Sequence, residues 1–213
     1  MPRPPRPNLH DGLYNIGSRG VRRTRIYRDE IDYRRFFALF ETVSAELGWL
    51  CHARCQMPNH YHLLVETPEP NLSVGMKRLN SRYAQWFNWR HGFEGHAFER
   101  RFYSELVEAE AHFLELCRYI VLNPVRAKLC SHPGEWQFSS YRAPLTGRVA
   151  GLFGGGASAR RRYRQFVAER VSVGRGSGSD PRTRPDQPKP YVPAKRSARR
   201  RTRSAAGRPT TLR

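Results

Sequence analysis

Two histidines separated by one residue sit inside the run Met57-Pro58-Asn59-His60-Tyr61-His62-Leu63-Leu64-Val65-Glu66. Residues two apart in an extended strand project from the same face. His60 and His62 therefore set two imidazoles side by side, while Tyr61, Leu63 and Val65 form an apolar set on the other face. Two nitrogen donors at that spacing can grip a divalent ion and leave positions open for oxygen ligands. The spacing equally describes two hydrogen-bonded histidines on a polar sheet face, and both readings stay open on it. Farther along, Tyr119 and Asn123 are four apart and share one face of an expected helix that ends at an Asn-Pro step. A phenol and a carboxamide from a helix, opposite two imidazoles from a strand, suit metal-assisted phosphoryl chemistry. The tyrosine oxygen would attack phosphorus as a covalent nucleophile. A metal ion would draw charge off the non-bridging oxygens and orient the phosphodiester.

The elements that must position these groups are legible in the hydrophobic pattern. Leu13 to Ile16, before the turn-like Ser18-Arg19-Gly20, predicts a first strand. Asp29 and Glu30 open a helix striped by Tyr33, Phe36, Phe37, Phe40, Val43 and Leu47, with Gly48 as its left-handed stop. Trp49 to Met57 alternates with a period of two, which sets Cys51 and Cys55 on one strand face. Pro58-Asn59 turns the chain into a second strand, His60 to Thr67, so the pair reads as a hairpin. Asn71 is the expected cap of a long helix carrying Leu72, Met76, Leu79, Tyr83 and Phe87, ended by Gly92 and Gly95. Phe102 to Val107 reads as a strand and Glu110 to Asn123 as a third helix, expected to stop near Asn123 because Pro124 disfavours helical geometry before it. The order strand, helix, strand, strand, helix, strand, helix predicts an α+β fold, a mostly antiparallel sheet with helices packed on it.

Composition narrows the partners. The chain of 213 residues holds 38 Lys and Arg against 18 Asp and Glu, a net charge of +20. Such an excess points to a polyanion, either nucleic acid or an acidic membrane face. Residues 1–159 carry 21 basic and 15 acidic residues, and residues 160–213 carry 17 and 3, so most of the excess lies in the last quarter. Residues 1–150 are expected to form the catalytic domain. Residues 151–173 are read as a flexible Gly-rich connection and a short helix, and residues 174–213 as a disordered Arg-rich tail with too few apolar side chains to order itself. No run is long and apolar enough to span a bilayer, and no signal-peptide stretch opens the chain. The expectation is a cytoplasmic, nucleoid-associated protein that uses no membrane. A membrane-surface role is the weaker alternative, since no basic amphipathic helix with an exposed apolar face stands out.

Cys51, Cys55, Cys117 and Cys130 lack tight Cys-x-x-Cys pairs and read as small core residues rather than a zinc site. Glu66 shares the imidazole side of its strand and is a candidate outer partner of the histidines. Arg78, Arg82 and Arg90 form a basic helix face, and with Arg126 they are candidate phosphate contacts. Trp86 and Trp89 could stack unpaired bases.

Taken in order, the motifs carry a resemblance. The His60-Tyr61-His62 strand is followed by Pro68-Glu69-Pro70-Asn71-Leu72-Ser73 and Leu79-Asn80-Ser81-Arg82-Tyr83-Ala84, then by Gly95-His96-Ala97-Phe98 with Arg101-Phe102. Tyr119-Ile120-Val121-Leu122-Asn123-Pro124-Val125-Arg126-Ala127 and Trp136-Gln137-Phe138-Ser139-Ser140-Tyr141 complete the set. From about Leu9 to about Val171 the chain resembles the single-tyrosine HUH transposases, in their REP-associated tyrosine transposase branch of the insertion-sequence transposase-like group. The resemblance implies a ferredoxin-like sheet. It implies Mg2+ or Mn2+ held by His60 and His62, with Asn123 as third protein ligand. It also implies that Tyr119 cleaves single-stranded DNA, folded into imperfect hairpins, and leaves a 5′-phosphotyrosine link and a free 3′-hydroxyl. The chain departs from the pattern at Asn15, where many relatives carry histidine, at Glu99-Arg100 in place of Gln-Gly, and at Tyr103 in place of lysine. The alternative is a non-catalytic binder of structured single-stranded DNA. The protein is expected to act as a monomer or a homodimer.

Overall fold

The structure is a computed structural model that describes residues 8–108, 110–145 and 147–173. The tail read from residue 174 onward lies outside the described residues. Four strands, β1 (Gly12–Arg19), β2 (Leu50–Met57), β3 (His60–Thr67) and β4 (Tyr103–Leu106), form one antiparallel sheet in the order β2-β3-β1-β4. Helix α1 (Glu30–Leu47) carries the chain from β1 past β3 to the edge strand β2, and α2 (Leu72–His91) carries it from β3 to β4 on the other edge. This is the split β-α-β arrangement of the ferredoxin-like α+β fold. α3 (Glu110–Arg126), the short α4 (Gly147–Leu152) and α5 (Gly156–Val173) follow.

The pleat divides the core into two layers. Tyr14, Ile16, Tyr61, Leu63 and Val65 face α1 and α2, burying Phe36, Phe40, Met76, Leu79 and Tyr83. Leu13, Ala53, Cys55 and Leu64 face the opposite way and bury Phe113, Cys117, Ile120 and Val121 of α3 together with Tyr163 and Val167 of α5. Since α1 and α2 occupy the first face, any group that meets His60 and His62 must come from the α3 side. α1 starts and stops as expected: the Asp29 side chain accepts from Asp32 N–H, and Gly48 closes the helix at φ 70°.

Four local expectations are corrected. β1 continues through Ser18 and Arg19 instead of turning there, because Ser18 pairs with Tyr61 and Arg19 with His60. A β-bulge between Cys51 and Ala53 breaks the alternation of β2, so Cys51 packs towards α1 and α2 while Cys55 is buried towards α3. One extra residue in a strand reverses the face of everything beyond it. Asn71 makes no side-chain cap to α2. Its Oδ1 instead accepts from Trp49 Nε1 at 2.6 Å and its Nδ2 donates to Leu47 O at 3.2 Å, tying the end of α1 to the start of α2.

The fourth correction concerns α3, which runs through Pro124 to Arg126. Proline has no N–H and orphans the carbonyl four residues back, here that of Ile120. Asn123 supplies the missing donor, its Nδ2 reaching Ile120 O at 3.3 Å and Tyr119 O at 3.0 Å. Near the end of the described residues, the Gly154–Gly156 segment turns α4 into α5 through three residues of positive φ, and Phe153 packs on Tyr163 and Phe166. No helix among the described residues is long and apolar enough to cross a membrane.

Candidate active site

The two-residue turn Pro58-Asn59 sets the register Met57↔His60, and the segment before α1 pins its tip. Gly20 N–H donates to Asn59 O at 2.8 Å, and Ile26 and Tyr27 N–H both donate to Pro58 O. The buried Asn59 side chain faces two ways: its Nδ2 donates to Arg23 O at 3.3 Å, which orients the amide, and its Oδ1 lies 2.6 Å from His60 Nδ1. A carboxamide oxygen only accepts, so His60 Nδ1 carries the proton and Nε2 holds the free lone pair.

His60 and His62 are both partly buried, with ring centroids 5.0 Å apart and planes nearly perpendicular. Burial, then the neighbouring His62, then Arg19, hold the His60 imidazolium well below its ordinary pKa. Burial and Arg19 bring His62 down to about 4. At neutral pH both rings are therefore neutral bases, the form a metal ion requires. Opposite His62 on β1 is Gly17, where a Cβ would stand 3.2 Å from the Tyr61 carbonyl oxygen and 3.8 Å from His62 Nδ1.

α3 crosses this face and brings Tyr119 to the pair. The Tyr119 ring meets His62 edge-on at 6.0 Å between centroids, and the Arg126 guanidinium lies over the phenol at 4.7 Å. Asn123, one turn on, is 9% exposed and spends its Nδ2 on the backbone carbonyls of its own helix, which leaves Oδ1 as its lone-pair atom for another partner. Among the described residues no three His, Cys, Asp or Glu side chains converge on a metal-sized space. Were a divalent ion held here, His60, His62 and Asn123 Oδ1 would offer it two imidazoles and a neutral oxygen. That mixture fits a borderline-hard divalent cation such as Mn2+, and Mg2+ with more of its water retained.

The remaining candidates separate cleanly. Glu66 shares the histidine face but pairs with His52 at 2.9 Å, and the His52 ring packs edge-on against Phe113. Arg78 and Arg82 reach Glu46 across α2 and α1, and Arg90 is held by Asp29 and the fully buried Asp32. All three arginines belong to α2, on the face of the sheet opposite the histidines, so the fold does not bring them to this site. Arg126 is the one of the four candidate phosphate contacts that stands beside Tyr119. Phe87 is core, Trp86 packs against it in part, and Trp89 is 80% exposed. In the sequence Asn59 reads as a turn residue and Arg19 as part of a turn. The only signals for their part in the site were the Pro-Asn step abutting His60 and the strand register, which needs coordinates.

Residues 13–123 match the sequence profile of the family described as IS200-like transposases. No curated protein matches the chain. Among solved structures, the chain is similar to a REP-associated tyrosine transposase bound to a REP hairpin, with a TM-score of 0.58 and 18% identity, covering 69% of this chain and 89% of that one. A transposase structure from Deinococcus radiodurans R1 is 17% identical with a TM-score of 0.40, covering 55% of this chain and 95% of that one. The histidine pair and the body of α3 through Asn123 fall inside the matched profile, and the chain belongs to the IS200-like transposase family.

Proposed function

We propose that the protein is a metal-dependent transposase that cleaves and rejoins single-stranded DNA through a covalent link to Tyr119. The observation that carries this reading is the edge-on approach of the Tyr119 ring to His62, within a pair of neutral imidazoles on the only sheet face open to α3. His60 and His62 would hold Mg2+ or Mn2+, with Asn123 Oδ1 as the third protein donor. When bound, the ion neutralises the non-bridging oxygens and fixes the phosphodiester for in-line attack. The Tyr119 oxygen forms a bond to phosphorus, the bond from phosphorus to the 3′ oxygen breaks, the phenolic proton is lost and the 3′ oxygen gains one. The products are a 5′-phosphotyrosine and a free 3′-hydroxyl, and attack by a 3′-hydroxyl reverses the step. Arg126, whose guanidinium lies over the Tyr119 ring at 4.7 Å, would offer a cation to the phosphate charge that accumulates near the phenol. Packing against His62 and Arg126 holds the phenol in one orientation and shortens its search for the phosphorus.

The substrate is single-stranded DNA folded into an imperfect hairpin. The net charge of +20 and the similar fold solved on a REP hairpin support this choice. The test is incubation of the full chain with end-labelled hairpin DNA and Mn2+, followed by denaturing electrophoresis. A covalent protein–DNA adduct that disappears in Tyr119→Phe is the expected result. His62→Ala should lose the adduct yet keep most hairpin affinity, because phosphate contacts dominate binding. Tight hairpin binding with no adduct under any divalent ion would replace this reading with that of a non-catalytic binder.

A further inference from the structure

On the same side of the sheet as α3, the chain after α3 and α5 enclose an open groove of about 600 Å³, lined by His132, Glu135, Tyr141, Arg142, Arg161 and Arg164. Tyr141 forms its floor by packing into the core beside Tyr163. The arginines around it fall into two sets. Arg160 donates to Arg142 O, Arg162 to Phe153 O, Arg118 to Glu115 and Phe166 O, and Arg170 pairs with Glu115. These hold the helix in place. Arg142, Arg161 and Arg164 are all exposed, and among the described residues their guanidinium groups have no acidic or hydrogen-bonding partner. The one carboxylate in the lining, Glu135, is engaged by the Ser131 N–H at 2.9 Å and its hydroxyl at 2.7 Å.

The groove also has a fixed place relative to the candidate site. Cys55 pairs with His62 on one side and bridges to Ser139 on the other, three residues before Arg142. At about 4.8 Å per strand spacing, Ser139 lies roughly 10 Å from His62 across the sheet. Arg161 and Arg164 are one turn apart on α5, and their Cβ atoms are about 5–6 Å apart. That is close to the step between consecutive phosphates of one strand.

We infer that this groove binds the phosphate backbone of the single-stranded DNA flanking the hairpin, a few nucleotides from the phosphodiester presented to Tyr119. The inference rests on the reading of the protein as a hairpin-DNA transposase and adds a second grip on the same strand. Among the described residues these three cations facing one groove have no partner that neutralises them, and a polyanion of matched spacing supplies that charge. Guanidinium groups also suit phosphate oxygens better than ammonium groups do, because they donate in a planar fork.

The experiment is the triple variant R142A/R161A/R164A in the full chain, compared with wild type by fluorescence anisotropy. Two labelled DNAs are used, the hairpin with a single-stranded flank and the hairpin alone, over a salt series. Each lost single-strand phosphate contact flattens the slope of log K against log salt by about 0.7, so the flanked DNA should lose about 2 units of slope while the bare hairpin keeps its own. Unchanged slope and affinity for the flanked DNA overturn the inference, and so does an equal loss on both DNAs. The adduct assay separates this from the transposase reading. Wild type that forms no adduct, combined with the flank-specific slope change, leaves the groove standing as a DNA grip and removes the chemistry. Adduct formation with no slope change does the reverse. The variants alter exposed side chains, and an unchanged thermal midpoint verifies that they are folded.

Discussion

Replacing Asn59 by alanine removes the acceptor 2.6 Å from His60 Nδ1 and the donor to Arg23 O, while leaving the backbone bond from Gly20 intact. The imidazole N–H is then a partly buried donor with no partner, at a cost of about 1–3 kcal/mol. For a chain of this length about 2 kcal/mol lowers the thermal midpoint by roughly 4–8 °C. The larger consequence is chemical. Without the asparagine oxygen, His60 is free to move its proton to Nε2, the nitrogen that must carry the lone pair for a metal. Loss of such an orienting partner lowers metal affinity by about 10–100-fold. The assay is a Mn2+ titration of adduct formation on hairpin DNA, with binding measured in parallel in EDTA. Asn59→Ala should need about 10–100-fold more Mn2+ for half-maximal adduct, with hairpin affinity in EDTA unchanged. Asn59→Asp retains an acceptor at the same place and should recover metal dependence near wild type while staying less stable. An alanine variant with the wild-type Mn2+ requirement would refute the claim that this bond sets the His60 tautomer.

Two further outcomes follow from the charge arrangement. His62 is held neutral down to about 4, below the ordinary value, so between pH 6.5 and 4 the unfolded chain binds the proton that the folded chain excludes. Metal-free stability therefore falls as pH drops through that window, by about 1–3 kcal/mol after allowance for the solvent that reaches the ring. Denaturant melts in EDTA at pH 7.5, 6.5, 5.5 and 4.5 should show the decline, and His62→Gln should make it shallower, His60 supplying the part that remains. Arg90→Ala should destabilise the fold, because it strips the guanidinium from the buried Asp32 and leaves His91 and the Arg28 N–H as its partners. The same variant should leave the salt dependence of DNA binding untouched, and a flatter slope would return Arg90 to the DNA-contacting set.

Much of this architecture is written in periodicity. The stripe from Tyr33 to Leu47, the alternation around His60 and the glycine stops depend on interactions within a few residues, and they appear in the structure as α1, the β2–β3 hairpin and the ends of α1 and α2. The readings that moved were those where a distant partner outweighed a local preference. Ser18 and Arg19 became strand because β3 offered their backbone a ladder, and Asn71 left its helix for Trp49. Pro124 stayed helical because Asn123 replaced the hydrogen bond it removed. The basic face of α2 meets counter-charges in Glu46, Asp29 and Asp32, which only the packing of α1 against α2 brings within reach.

The order of residues thus sufficed for the family resemblance and for which four side chains to watch, since spacing within a strand or a helix dictates a shared face. It could not say that α3 would lie on the histidine face and α2 on the other, because that depends on which layer each helix buries across the sheet. Folding alone put Tyr119 against His62, set Arg126 over its ring and turned Asn59 towards His60. Those are contacts between elements far apart along the chain. They exist because two apolar layers close on one sheet and leave its polar histidine end between the β2–β3 turn and α3.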